Sequence, residues 1–209
     1  MYLIDKTYFN GKIKIANLNE YNGEDSISID NFIDKFARLF LQQSLGYSLF
    51  SDLDSNITSG VLDLGAPLKW QNLVNGCEYI KDGNTFKWNG LAYSDGVYKD
   101  SILAYFVYLN YFENYVKSES GLSMLDAKNS NAINPTQHLI EVYNEFVEMY
   151  QGVCNNQPYV SFYNGVLFKD YYYNVSSGYV SYLQFLSDND TDYPDAVKAV
   201  LNYKNSLGI

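Results

Sequence analysis

The chain's only histidine, His138, precedes Glu141 and Glu145 at i, i+3 and i+7. An imidazole and two carboxylates therefore fall near one helical face with metal-compatible spacing. One imidazole needs partners from another element and there is no second histidine, so the stretch reads as a solvated helix start. Asp52-x-Asp54-x-Asn56-x-Thr58 resembles the opening of a calcium loop, but its sixth position is Ile57, where the sharp turn demands glycine, and its twelfth is Asp63. Asp188-x-Asp190-x-Asp192 fails in the same way at Tyr193, so both read as acidic loops. Cys77 and Cys154 form no C-x-x-C and have no histidine close in sequence, which removes zinc and redox motifs. Glycine-rich phosphate cradles, G-x-S-x-G elbows and H-E-x-x-H pairs are absent from the sequence. A carboxylate pair for glycoside hydrolysis would meet only in space and leaves no sequence signature. The expectation is a protein that is not an enzyme, with no catalytic or metal-binding residues and no cofactor.

With 209 residues and 47% hydrophobic content, the chain is long enough to bury a substantial core. A net charge of −10 and a pI near 4.4 argue against phosphate-neutralising contact, and Arg38 is the only arginine. Aromatic residues make up 17%, including 22 tyrosines, a side chain favoured where apolar contact and a wet hydroxyl coexist. Extensive protein contact is the first reading of that excess, and stacking on sugars is the second. The N-terminus lacks a basic region followed by an apolar run, so no secretory signal is expected. No apolar stretch is long enough to span a bilayer, and the sequons at Asn56, Asn174 and Asn189 are expected to be accidental.

The elements that must position these residues come next. Asn10-Gly11 between short alternating segments over 7–18 predicts an extended arm or hairpin. Ile29, Phe32, Ile33, Phe36, Ala37, Phe40 and Leu41 lie on one face of a helix, with Ser28 as N-cap and Gly46 as its stop. Tyr47 to Leu53 continues as a short helical turn before a polar loop from Asp54 to Gly65. Pro67 opens a brief helix carrying Trp70 and Leu73, which Gly76 ends. Lys81-Asp82-Gly83-Asn84 between Cys77–Ile80 and Thr85–Trp88 predicts a β-hairpin. A helix is expected from Ser101 to about Lys117, and another from Asn134-Pro135 to Gly152. Asn164-Gly165 suggests a second hairpin within 157–173, followed by a short helix through Tyr179, Leu183 and Leu186 and a tail from Asn205. The fold class is therefore mainly α, a helical bundle with one or two short β-hairpins and extended terminal arms. The divisions are 1–28 as an N-terminal arm, 29–156 as a helical core with hairpin, and 157–209 as an aromatic C-terminal extension and tail.

Several landmarks occur together and in order: Tyr8-Phe9-x-Gly11 with Ile13 and Ile15, then Ser44-Leu45-Gly46-Tyr47, Trp70-x-x-Leu73-x-x-Gly76 and Trp88-x-Gly90-Leu91. Ser101-x-x-Ala104-Tyr105, Ser120-Gly121-Leu122 and Val142-Tyr143-Asn144-Glu145 follow. Tyr182-x-x-Phe185-Leu186, Tyr193-Pro194 and Asn205-Ser206-x-Gly208-Ile209 complete the set. In this series the chain resembles the head-to-tail adaptor, or neck ring, proteins of tailed phages, most closely those of crAss-like phages of gut Bacteroidales. It departs from them at Tyr143, where such proteins often carry tryptophan, and in the aromatic stretch Tyr159 to Tyr173.

The resemblance implies an adaptor domain and a structural virion protein, assembled in the host cytoplasm. Twelve copies would form a homo-oligomeric ring beneath the portal protein, touch other neck or tail proteins and lengthen a channel through which genomic DNA passes without specific binding. It implies no membrane and no enzyme activity. Interface candidates on this reading are Tyr8, Phe9, Trp70, Trp88, Tyr105, Tyr108, Tyr171, Tyr172, Leu207 and Ile209. From the residues alone, Trp70 and Trp88 read first as core anchors for the helix and hairpin. Acidic charge facing a lumen would repel phosphate, and Asp52, Asp54, Asp63, Asp188, Asp190 and Asp192 are the candidates for it. The terminal arms are candidates for strand addition or groove insertion into a neighbour. The alternative function is a tyrosine-rich carbohydrate-binding module.

Overall fold

The periodic apolar face beginning at Ile29 builds the longest helix, α1 (Ile29–Asp54), which buries Ile33, Phe36, Ala37, Phe40, Leu41 and Leu45. Gly46 interrupts it with non-helical backbone, so α1 is two helical segments joined at a kink, and the second buries Leu49, Phe50 and Leu53. The structure, a computed structural model, describes residues 2–15, 29–113, 135–152, 178–197 and 201. The remaining helices are α2 (Leu68–Asn75), α3 (Ile102–Tyr111), α4 (Pro135–Gln151) and α5 (Tyr182–Asp188). Three antiparallel strand pairs accompany them: β1 (Ile57–Thr58) with β2 (Val61–Leu62), β3 (Cys77–Lys81) with β4 (Asn84–Trp88), and β5 (Tyr93–Ser94) with β6 (Lys99–Asp100). Among the described residues the architecture is mainly α with small β elements.

Phe40 sits where the helices meet. Its ring centroid lies 5.4 Å from Phe106 of α3, 6.0 Å from both Phe146 and Tyr150 of α4, and 5.5 Å from Tyr182 of α5. Edge-on and tilted ring pairs of this kind each contribute about 0.5–1.5 kcal/mol beyond the apolar area they bury. The core therefore draws on α1, α3, α4 and α5 together, and buried side chains from 2–15, 29–113, 135–152 and 178–197 form one cluster. Ser181 caps α5, its hydroxyl accepting from the Gln184 amide at 3.3 Å. Ser101 caps α3 by accepting from Leu103 and Ala104 while donating to the Leu91 carbonyl. The buried serine thus has three partners of its own and supplies an acceptor to two amides that helix starts leave unpaired.

The Asp82-Gly83 turn adopts positive φ at both residues, 52° and 80°, which matches the right-handed twist of the β3–β4 hairpin. Its inner face turns Tyr79, Phe86 and Trp88 toward α5, where Trp88 stacks on Phe185 at 5.5 Å. The other edge of β4 accepts an added segment: the Lys87 amide donates to the Gly178 carbonyl at 2.7 Å, and the Val180 amide donates back to Lys87 at 3.0 Å.

Four expectations change. Tyr179 belongs to a parallel bridge with Lys87, not to the short helix, because the outward backbone groups of Lys87 need partners; α5 begins at Tyr182. The 54–65 loop contains the β1–β2 hairpin, turning at Ser59-Gly60 with φ of 53° and 80°. The β5–β6 pair is also new; strands of two residues are too short to reveal alternation in sequence. Residues 2–15 form neither a hairpin nor a free arm. They make two 3-10 turns, Lys6–Tyr8 and Gly11–Ile13, and bury Tyr2, Ile4, Tyr8, Phe9 and Ile13 against the rest of the chain. The proposed Ser28 cap, the helix beyond 113, the 157–173 hairpin and the tail from 205 lie outside the described residues.

Candidate functional site

Two of the sequence landmarks prove to be halves of one structure. Trp70-x-x-Leu73-x-x-Gly76 ends α2, and Trp88-x-Gly90-Leu91 runs across that end. The Leu91 and Ala92 amides donate to the Leu73 and Val74 carbonyls, both at 3.0 Å, and the Trp88 indole donates to Leu73 at 2.9 Å. These contacts satisfy helix-terminal carbonyls that would otherwise lack partners. The glycines are required by approach as well as by angle. A Cβ at Gly76 (φ 84°) would lie 2.5 Å from the Trp88 carbonyl, and one at Gly90 (φ 97°) would lie 2.5 Å from the Val74 carbonyl.

The aromatic interface candidates are accordingly redefined. Tyr8, Phe9, Trp70, Trp88, Tyr105 and Tyr108 are all buried in the chain's own core, so their rings are not free to meet a neighbour. The reason is local supply: the turns and caps around them close over the rings and take up the polar tips of Tyr8, Trp88 and Tyr108, whereas the Trp70 indole N–H is buried without a hydrogen-bond partner. Tyr8 donates to the Ala92 carbonyl at 3.2 Å, and the Tyr108 hydroxyl lies 3.2 Å from His138 Nε2. Burial pushes the Tyr108 phenol up to about 12. Tyr171, Tyr172, Leu207 and Ile209 lie outside the described residues.

Three of the acidic candidates tie elements of the chain together. Asp52 pairs with Lys69 at 2.7 Å, which ties α1 to α2. Asp54 pairs with Arg38 and accepts from the Tyr2 hydroxyl at 2.9 Å, while the Arg38 guanidinium lies 4.1 Å above the Tyr2 ring. Asp188 accepts from the Tyr79 hydroxyl at 2.7 Å and so joins α5 to β3. Asp63 is half-buried, whereas Asp190 and Asp192 are exposed. The calcium-like spacing from Asp52 to Asp63 is consumed by a helix end followed by a hairpin. Among the described residues no group of histidine, cysteine, aspartate and glutamate could hold a metal ion.

A further polar region, which the sequence did not single out as a unit, surrounds the strap formed by residues 2–15. Lys12 bonds to Glu145 of α4 at 3.0 Å, and Lys99 of β6 reaches Asp5 at 3.5 Å. Burial raises the Asp100 carboxyl despite the bond it accepts from the Ser101 amide, and nearby Glu145 adds to the rise. Glu148 is raised by burial and by Glu145, with Lys12 opposing. Asp5 goes the other way: burial disfavours its charge, but bonds from the Thr7 hydroxyl and amide and the charge of Lys99 outweigh that and hold its carboxyl below the usual range. Burial raises the Cys77 thiol, with Lys87 opposing, so it is not primed as a thiolate.

Several apolar side chains face outward, among them Tyr47, Ile80 and Val97, and the aliphatic ones around β2 carried no periodic signal in the sequence. Leu64 is fully exposed, and Val61 and Leu68 flank it with about two-thirds of their surfaces open. Together they form an apolar tip where β2 leads into α2. The only advance signal was a leucine and a valine inside a stretch of turn residues, which periodicity does not register. No protein-family model matches this chain, and no curated protein and no solved structure matches it. No described helix is long and apolar enough to cross a membrane.

Proposed function

We propose that this chain is a structural virion protein, a head-to-tail adaptor that forms a neck ring between portal and tail and extends the DNA channel. The observation that carries the reading is the ordered series of landmarks running nearly the whole length of the chain. Its physical support is the way two of those landmarks, at Trp70–Gly76 and Trp88–Leu91, close on each other to build a rigid scaffold. A mainly helical frame with small hairpins suits a subunit that must hold its shape while neighbours pack on either side. The net charge of −10 suits a wall past which nucleic acid slides without being held. On this reading the protein assembles in the host cytoplasm, resides in the virion neck and has no enzymatic role.

The test is to mix the purified protein with the portal encoded by the same genome and determine the mass and electron-microscope appearance of the product. A closed ring stacked coaxially on the portal is the expected outcome and gives the copy number. A stable monomer that ignores the portal and melts higher with glycans would replace this reading with that of a carbohydrate-binding module.

A further inference from the structure

Gly46 breaks α1 with φ 76° and ψ 172°, and a helix segment that stops leaves its last carbonyls in need of donors. Ser44, just before the break, is supplied from far along the chain: the Val197 amide donates to its carbonyl at 2.7 Å. The backbone of that later segment passes close to the bend, since a Cβ at Gly46 would lie 3.5 Å from the Asp195 carbonyl. Residues 193–197 therefore form a clasp laid across the kink.

The clasp is anchored on either side of its bond to Ser44. Before it, Tyr193 is buried against Trp70 and Phe185, at ring-centroid distances of 5.9 and 5.6 Å, and its hydroxyl donates to the Lys69 carbonyl of α2. After it, buried Gln151 at the end of α4 holds Leu201 by both ends of its amide. Its Nε2 donates to the Leu201 carbonyl at 2.8 Å, and its Oε1 accepts from the Leu201 amide at 2.6 Å. Between these anchors the hold is thin. Pro194, Asp195 and Val197 are exposed. Among the described residues, the Val197 amide makes the only backbone-to-backbone bond from 194–197 to α1. Val197 and Leu201 also border a cavity of about 270 Å³ that they share with Phe40, Phe146 and Tyr150. Side chains facing a void forgo the dispersion contacts that a packed neighbour would give.

We propose that residues 194–197 lift from the kink as a unit while Tyr193 and Gln151 keep their holds, and that the seated clasp sets the bend of α1 at Gly46. The first segment of α1 stays pinned in the hub either way, because the Ser44 hydroxyl is bonded to that of Tyr182 at 2.9 Å. The second segment carries Asp52, tied to Lys69 of α2, and Asp54, tied to Arg38 and Tyr2. Seating the clasp therefore fixes how α2 and the first residues of the chain stand against the hub, and lifting it gives the Ser44 carbonyl to water and frees the bend. The device belongs to the single subunit and does not depend on the ring reading.

Residue-resolved amide hydrogen exchange on the full chain tests it. In wild type the Val197 amide is expected to be at least about tenfold less protected than that of Val107 in α3, as local opening requires. Val197→Pro removes the donor to Ser44 and is expected to speed exchange of amides 47–50 at least about tenfold, with those of Tyr79 and Phe86 in the β3–β4 hairpin unchanged. Tyr193→Phe keeps the ring and drops only the bond to Lys69; it is expected to speed Val197 and amides 47–50 together, by a smaller factor. Equal protection of Val197 and Val107 in wild type would show that the clasp does not lift. Amides 47–50 left unmoved in a folded Val197→Pro, or in Tyr193→Phe while Val197 speeds up, would show that it does not set the bend. The Tyr193→Phe arm decides the matter if Val197→Pro fails to fold. A rise that spreads to the hairpin in Tyr193→Phe would mark general loosening and overturn the device as well.

Discussion

The aromatic hub around Phe40 and the aliphatic tip around Leu64 divide the molecule's apolar chemistry between them. In the hub, rings from four helices lock one another at centroid distances of 5.4–6.0 Å, and hydroxyls such as those of Tyr182 and Ser44 pair inside it. At the tip, three aliphatic side chains stand in solvent on a turn braced by backbone and glutamine bonds. The contrast teaches that the described tyrosines divide: Tyr2, Tyr8, Tyr105, Tyr108, Tyr150, Tyr182 and Tyr193 serve the interior, while Tyr47 stands in solvent as the aliphatic Leu64, Val97 and Ile80 do.

Substitutions in the two regions should separate accordingly. Trp88→Ala should give the largest loss of stability, about 3–5 kcal/mol by denaturant unfolding, because it empties the stack on Phe185 and deletes the bond to Leu73. A loss under about 1 kcal/mol would mean that the hairpin is not part of the hub's cooperative unit. Gly76→Ala should cost about 2 kcal/mol or more, since the new Cβ meets backbone at 2.5 Å in a left-handed conformation. Tyr182→Phe should cost about 1 kcal/mol, as Ser44 keeps its place but loses its partner in the hub.

Smaller effects come from the strap, and their signs differ. Asp5 has a lowered folded-state value, so the stability it contributes is present above its unfolded value and is lost as pH falls through the folded one. Asp5→Asn should flatten the acid limb of a stability–pH curve. Asp100 has a raised value, so its folded state loses stability as pH climbs from the ordinary carboxylate range through that raised value. Asp100→Asn should therefore gain stability at neutral pH and remove that slope; equal slopes in both variants would show that the strap's charges are not the source. The smallest effect belongs to the tip: Leu64→Ser should leave unfolding within about 0.5 kcal/mol of wild type. A larger change would mean that the tip supports its own chain after all.

Much of the frame was legible before any coordinates. The 3.6-residue spacing from Ile29, the Gly46 break, the Pro67 start, the Asp82-Gly83 turn and the Pro135 start each reflect a local preference, and each reappears at its place in the described structure. The two-residue strands and the strap were not legible, because their pairing and burial depend on residues far away in sequence: Tyr8 on Ala92, Asn10 on Lys99 and Lys12 on Glu145. For the candidate site, sequence alone established that no familiar catalytic motif is present, that the surface is acidic and that aromatic residues abound. The core-anchor reading of Trp70 and Trp88 came from sequence and agrees with their burial, whereas only the tertiary structure decided that Asp52, Asp54 and Asp188 tie elements together and that Leu64 is left outside. Local spacing governs which elements form, whereas exposure is a property of the whole packed assembly of elements, so no single stretch of residues carries it.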